Sequence, residues 1–188
     1  MGDLPALVRE ARRAASRSGF RHSCDDRVGE LLAVLAASVP TDGRVLELGT
    51  GVGVGTAWIV HGLAGRPDVE VVTVEVDPQL SAAAGRQPWP AGVRFLVGDA
   101  VELLPSLGRF ALIFADAQGG KWERLDLTVD ALGGGGFLLV DDMTPTAEWD
   151  EEQATKQSEV RAALHRHSAL VTCETDWASG LVLCVRRR

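Results

Sequence analysis

The chain has 188 residues, 46% hydrophobic and 24% charged, enough for one domain with a substantial core. A net charge of −7 disfavours general nucleic-acid binding, which depends on neutralising phosphates. Cys24, Cys173 and Cys184 form no C-x-x-C pair and no zinc-ligand spacing, and so sparse and odd a set points to a reducing compartment.

Residues 1–19 read as a weakly amphipathic helix, with apolar Leu4, Leu7, Val8 and Ala11. Met1–Arg13 carries scattered charge and no apolar core, so no secretory signal is expected. A second helix is clearer: Asp25 or Asp26 caps it, and Val28, Leu31, Leu32, Leu35 and Ala36 form one face. Pro40-Thr41-Asp42-Gly43 ends it. Residues 1–40 are thus an N-terminal helical segment and 41–188 an α/β core of the same domain. Strands are predicted over 44–48, 69–74, 93–97, 110–115 and 136–140. Helices are predicted over 56–63, 78–84, 100–104, 122–132 and 155–165. Gly133–Gly136 is expected to be a tight helix-to-strand turn. Strands that are continuously apolar suit a parallel sheet covered on both faces. Residues 169–175 and 181–187, joined by Asp176–Gly180, predict a closing antiparallel hairpin. The fold class is α/β: a doubly wound, seven-stranded, mostly parallel sheet that ends in that hairpin. No apolar run reaches the roughly 18 residues a membrane span requires, so a cytoplasmic protein with no membrane partner is expected.

The strongest motif is Val45–Gly55. An apolar strand reaches Glu47, then glycines alternate at Gly49, Gly51, Gly53 and Gly55 before a helix. Such a loop lets the backbone turn and a ligand approach it, and the helix offers unpaired N–H groups to an anion. A dinucleotide fingerprint requires G-x-G-x-x-G. From Gly49 the sixth position is Val54, and from Gly51 it is Thr56, so the register disfavours NAD. The spacing Glu47-x-Gly49-x-Gly51-x-Gly53 is instead that of S-adenosylmethionine (SAM) binders. Glu75, after the second strand, can accept ribose hydroxyls in either class. Asp99 ends the third strand, where an acid commonly faces an adenine amino group.

Five blocks in this order carry a resemblance: Leu46–Gly51, Thr73–Pro78, Val97–Ala100, Phe114–Ala117 and Leu139–Asp142. Over residues 20–188 the chain resembles the class I SAM-dependent methyltransferases, and among them the catechol and caffeoyl-CoA type O-methyltransferases. The resemblance implies a Rossmann-like fold with SAM as methyl donor. Ser23, Cys24, Glu47, Gly49, Thr50, Gly51 and Gly53 would hold its amino-acid end, Glu75 and Val76 the ribose, and Asp99 and Ala100 the adenine. Asp116 would border both donor and acceptor and act in catalysis.

Asp116, Asp141 and Asp142 follow two apolar strands at the edge where open α/β sheets bind ligands. Were they to converge, their repulsion would call for a cation. Their oxygens suit Mg2+, Ca2+ or Mn2+, and in the resembled family the equivalent positions are metal ligands. The alternative is a site without metal, with the acids as caps or solvated groups. That family often places a lysine base three residues after the strand-four aspartate. Here that position is Gly119, and Lys121 lies two further on. Two readings stand: Lys121 swings in on Gly119-Gly120 as a base of depressed pKa, or it is a solvated residue opening the Trp122 helix. The expected substrate is a small molecule with neighbouring hydroxyls. Metal-free methylation of another acceptor, a non-catalytic SAM-binding module and a homodimer remain open alternatives.

Overall fold

The computed structural model describes residues 4–147 and 149–188. Residues 1–3 of the expected first helix, and Glu148 of the loop after the fifth strand, lie outside the described residues. Fourteen elements follow in chain order. They are α1 (Ala6–Ser18), α2 (Asp26–Ala37), β1 (Arg44–Leu48), α3 (Val54–Leu63), β2 (Glu70–Glu75), α4 (Pro78–Ala84) and β3 (Val93–Val97). Then come α5 (Ala100–Leu107), β4 (Phe110–Ala115), α6 (Leu125–Ala131), β5 (Leu132–Val140), α7 (Glu151–Arg166), β6 (Leu170–Thr175) and β7 (Leu181–Arg186).

The seven strands form one sheet in the order β3-β2-β1-β4-β5-β7-β6. β7 is the one reversed strand, inserted between β5 and β6 and antiparallel to both. Alternate residues of each central strand enter different cores. Val45, Val71, Leu112 and Leu139 pack under α1, α2 and α3. Leu46, Val72, Ile113 and Leu138 pack under α5, α6 and α7. Both faces are buried, so these strands show no polar–apolar alternation. Among the described residues no helix is long and apolar enough to cross a membrane.

The caps follow the sequence. Asp25 accepts from Arg27 N–H at the start of α2, Asp77 from Gln79 and Leu80, and Asp99 from Val101. Asp150 forms a reciprocal box with Gln153 at α7, which therefore begins four residues before the predicted Thr155. Two expectations are corrected. The 122–132 helix begins only at Leu125, because Arg124 is left-handed (φ +56°) and the Trp122 and Glu123 N–H groups both turn back to the Gln118 carbonyl. The glycine run is not a helix-to-strand turn. It lies inside β5, where Leu132 pairs with Phe110 and Phe137 with Leu112, so the four glycines fill a break in register.

Helices α2 and α3 cross closely because glycine stands at the contact. A β-carbon on Gly62 would lie 2.1 Å from the Ala33 carbonyl oxygen. Alanine favours a helix over glycine by about 1 kcal/mol, but overpacking against fixed backbone costs up to about 3 kcal/mol. Gly62→Ala is expected to lower stability in urea unfolding by about 2 kcal/mol; an unchanged midpoint would show that the helices can move apart.

Candidate functional site

The chain leaves β1 towards β2 on one side and reaches β4 on the other. The carboxyl ends of β1 and β4 therefore flank the position where open α/β sheets form a crevice. A cavity of about 500 Å³ opens there, within the range of small-molecule sites. It brings together Ser23, Cys24, Glu47, Gly49, Thr50, Gly51 and Glu75 at one end and Asp116, Lys121 and Asp142 at the other. Gly53, Val76, Asp99, Ala100 and Asp141 do not line it. Gly53 caps α3, Val76 is exposed at the surface and Asp99 caps α5. A β-carbon on Gly119 would lie 2.9 Å from Asp99, so the Asp99 turn abuts the loop after β4.

The glycine spacing reflects backbone shape. Gly49, Gly51 and Gly53 all have positive φ, at +96°, +53° and +89°. At Gly49 a β-carbon would fall 2.2 Å from the Asp116 carbonyl oxygen, so glycine alone permits the ends of β1 and β4 to approach. Glu75 holds the loop from β2: its carboxylate accepts from Gly51 N–H at 2.8 Å and from Asp77 N–H at 3.1 Å. Arg12 secures the covering segment from α1, donating to the Cys24 carbonyl at 2.8 Å and to Asp26 at 2.6 Å. The Ser23 hydroxyl is buried with no hydrogen-bond partner among the described residues, a polar atom left for a ligand. Burial, reinforced by Asp141, Asp116 and Glu47, keeps the Cys24 thiol well above its ordinary pKa, so it is no nucleophile at neutral pH.

Glu47 is 1% exposed and accepts from the Thr56 and Thr73 hydroxyls. Burial raises its pKa from 4.5 to about 7, against the opposing pull of both threonines.

At the other end, Asp116 follows β4 and Asp141-Asp142 follow β5. Lys121 is neither solvated nor at a helix start. It is 2% exposed, with its Nζ 3.2 Å from Asp116 Oδ1 and 2.8 Å from Asp142 Oδ2. The ammonium also lies 4.7 Å from the Trp122 ring centre, and Trp122 meets Trp149 edge-on at 6.0 Å. Burial alone would lower the Lys121 pKa, but Asp116 and Asp142 outweigh it and hold it above its ordinary value. The depressed pKa expected of a base is therefore reversed. Burial pushes the Asp116 carboxyl well above its usual range against the pull of Lys121. Asp142 reaches the ammonium from a left-handed backbone (φ +60°), a conformation aspartate tolerates. Asp141 is engaged elsewhere: it accepts from the Ser179 hydroxyl in the hairpin turn and from Asp142 N–H.

This donor set does not fit a divalent ion. Asp116 Oδ1 and Asp142 Oδ2 both accept from the Lys121 ammonium, which already bridges the two carboxylates. Among the described residues no three His, Cys, Asp or Glu side chains are placed to hold a metal. The cavity also uses residues that the motifs missed. Phe114 lines it because it lies two residues before Asp116 on the same strand face, a signal the sequence contained. Phe20 places its ring where a side chain on Gly51 would go, and Gln118 lines the wall; neither carried a sequence signal.

A family model described as "Methyltransferase domain" matches residues 46–143. A catechol O-methyltransferase of Mycobacterium tuberculosis is 36% identical over 124 residues, which cover 63% of this chain and 55% of that relative. The chain thus spans little more than half the length of that relative. A solved cofactor-bound protein from MTB is 26% identical with a TM-score of 0.84, covering 100% of this chain and 92% of the other. An O-methyltransferase from Bacillus cereus in complex with SAH has a TM-score of 0.84 at 16% identity, covering 98% and 92%, a likeness of fold alone.

The buried Glu47 makes stability depend on pH. The unfolded carboxyl titrates near 4.5 and the folded one near 7, so the folded state holds the extra proton between those values. Its contribution is full below pH 4.5 and declines by about 3 kcal/mol as pH rises to 7. Glu47→Gln is expected to remove that decline from urea-unfolding measurements at pH 5 and 8; an undiminished slope would place the proton elsewhere.

Proposed function

The chain belongs to the methyltransferase domain family, and on that premise we propose that it is a SAM-dependent O-methyltransferase acting on a small molecule. One observation carries this reading. A cavity of about 500 Å³ joins the glycine loop and Glu75 to Asp116 and Lys121, so the reacting end of a donor held at the loop faces an acceptor held at the acids.

In this reading the Ser23–Cys24 segment, Glu47 and the Gly49-Thr50-Gly51 turn hold the amino-acid end of SAM, with Gly53 opening α3. The first N–H groups of α3 favour the donor carboxylate, and Glu47 favours its ammonium. Glu75 and Val76 take the ribose. Asp99 and Ala100, against the loop after β4, take the adenine. When bound, SAM supplies the methyl group: the O–C bond forms as the S–C bond breaks and its electron pair stays on sulfur. The protein aligns the acceptor oxygen with that methyl, the contribution on which an in-line displacement chiefly depends. Asp116, at the acidic end of the cavity, orients the acceptor. The likeness to a catechol O-methyltransferase makes a small molecule with neighbouring hydroxyls the first acceptor class to test.

Calorimetric titration with SAM, S-adenosylhomocysteine and NAD tests the donor assignment. The first two are expected to bind and NAD to give no heat. If the ammonium requires an ionised Glu47, SAM affinity should be roughly tenfold weaker at pH 6 than at pH 8. No response to SAM or S-adenosylhomocysteine would overturn the assignment, and equal affinity at both pH values would remove Glu47 from it.

A further inference from the structure

The acidic end of the cavity obtains its cation from the chain itself. Lys121 donates to Asp116 and Asp142, which follow the carboxyl ends of the neighbouring strands β4 and β5. A divalent ion bridging those two carboxylates would compete with the ammonium for the bridging position, and the two cations would repel each other. Asp141 is turned to the hairpin: its Oδ1 accepts from both Ser179 and the Asp142 N–H, and it does not line the cavity.

Nor is Lys121 a side chain swung in on a flexible hinge. The Thr128 hydroxyl donates to the Gly120 carbonyl at 2.7 Å, and the Gly120 N–H donates to the Glu123 carbonyl at 2.7 Å. Gly120 is left-handed (φ +82°), and a β-carbon there would lie 2.6 Å from Leu48 and 2.8 Å from Thr128. The backbone before Lys121 is thus packed into the core, and the buried side chain sets its ammonium over the Trp122 ring. The position is built into the fold.

We propose that Lys121 is the resident cation of this site and that methyl transfer here proceeds without a divalent metal. The proposal rests on the methyl-transfer reading of the cavity. An ammonium has three N–H donors, of which Asp116 and Asp142 take two. Lys121 lines the cavity, and the third donor serves the acceptor oxygen as it becomes an oxyanion. The hydroxyl proton leaves to water, the O–C bond forms, and the electron pair of the broken S–C bond remains on sulfur. A point charge serves one ionised oxygen, so a neighbouring hydroxyl is not needed to complete a chelate.

The test begins with EDTA-treated wild-type protein, titrated calorimetrically with Mn2+ with and without S-adenosylhomocysteine. No Mn2+ binding is expected in either state. Lys121→Ala should retain S-adenosylhomocysteine binding, gain Mn2+ binding through the freed carboxylates, and lose about 100-fold in methylation of catechol. EDTA should leave the wild-type rate unchanged. Mn2+ binding to wild type that disappears in Asp116→Asn, or loss of turnover in EDTA, would overturn the proposal. Should Lys121→Ala fail to fold, Lys121→Arg retains the charge and should still exclude Mn2+, and the wild-type titration is decisive in any case. Failure of S-adenosylhomocysteine to bind wild type, with Mn2+ still excluded, would defeat the methyl-transfer reading and leave Lys121 as the cation.

Discussion

Carboxylates gathered in a half-buried cleft must be neutralised, protonated or kept apart, and this chain does all three: Lys121 offsets one charge, burial favours the protonated Asp116, and Asp141 turns to the hairpin. The Lys121 ammonium joins the end of β4 to the end of β5 through Asp116 and Asp142. Asp141 extends the connection to the closing hairpin through Ser179. Trp122 covers the ammonium and Trp149 packs on Trp122. A buried ion pair adds little net stability, but removing one partner strands the other and typically costs 3–5 kcal/mol. The cluster is therefore better understood as a fixed arrangement of charge than as a source of folding energy.

The opposite end of the cavity is shaped chiefly by backbone. Gly49 lets β1 and β4 close together, and the Glu75 carboxylate holds the loop that follows. Glu47 adds a buried acid poised near neutral pH, with the Thr56 and Thr73 hydroxyls as its hydrogen-bond partners. Backbone at one end and point charge at the other suit a zwitterionic donor facing an acceptor that gains negative charge.

The sequence exposed those parts whose signal is local. Alternate glycines, acids at strand ends and capping aspartates each declare themselves within a few residues, and five blocks in order established the fold and its crevice. The glycine run in β5 misled because a break in register and a turn favour the same residue. The start of α6 depended on Arg124 adopting a left-handed conformation, which the sequence does not announce. Lys121 was the largest departure. Repulsion among Asp116, Asp141 and Asp142 did call for a cation, and one is present. That it is this lysine depends on the packing of Gly120 against Leu48 and Thr128, a contact between distant segments.

The central claim is that one cavity pairs a SAM-binding end with a lysine-neutralised acidic end. Its most direct test is a crystal structure grown with S-adenosylhomocysteine and Mn2+, with diffraction measured at the manganese absorption edge. S-adenosylhomocysteine is expected along the glycine loop and Glu75, with Lys121 Nζ between Asp116 and Asp142 and no anomalous density there. A manganese peak bridging those two carboxylates, with Lys121 displaced, would contradict that claim.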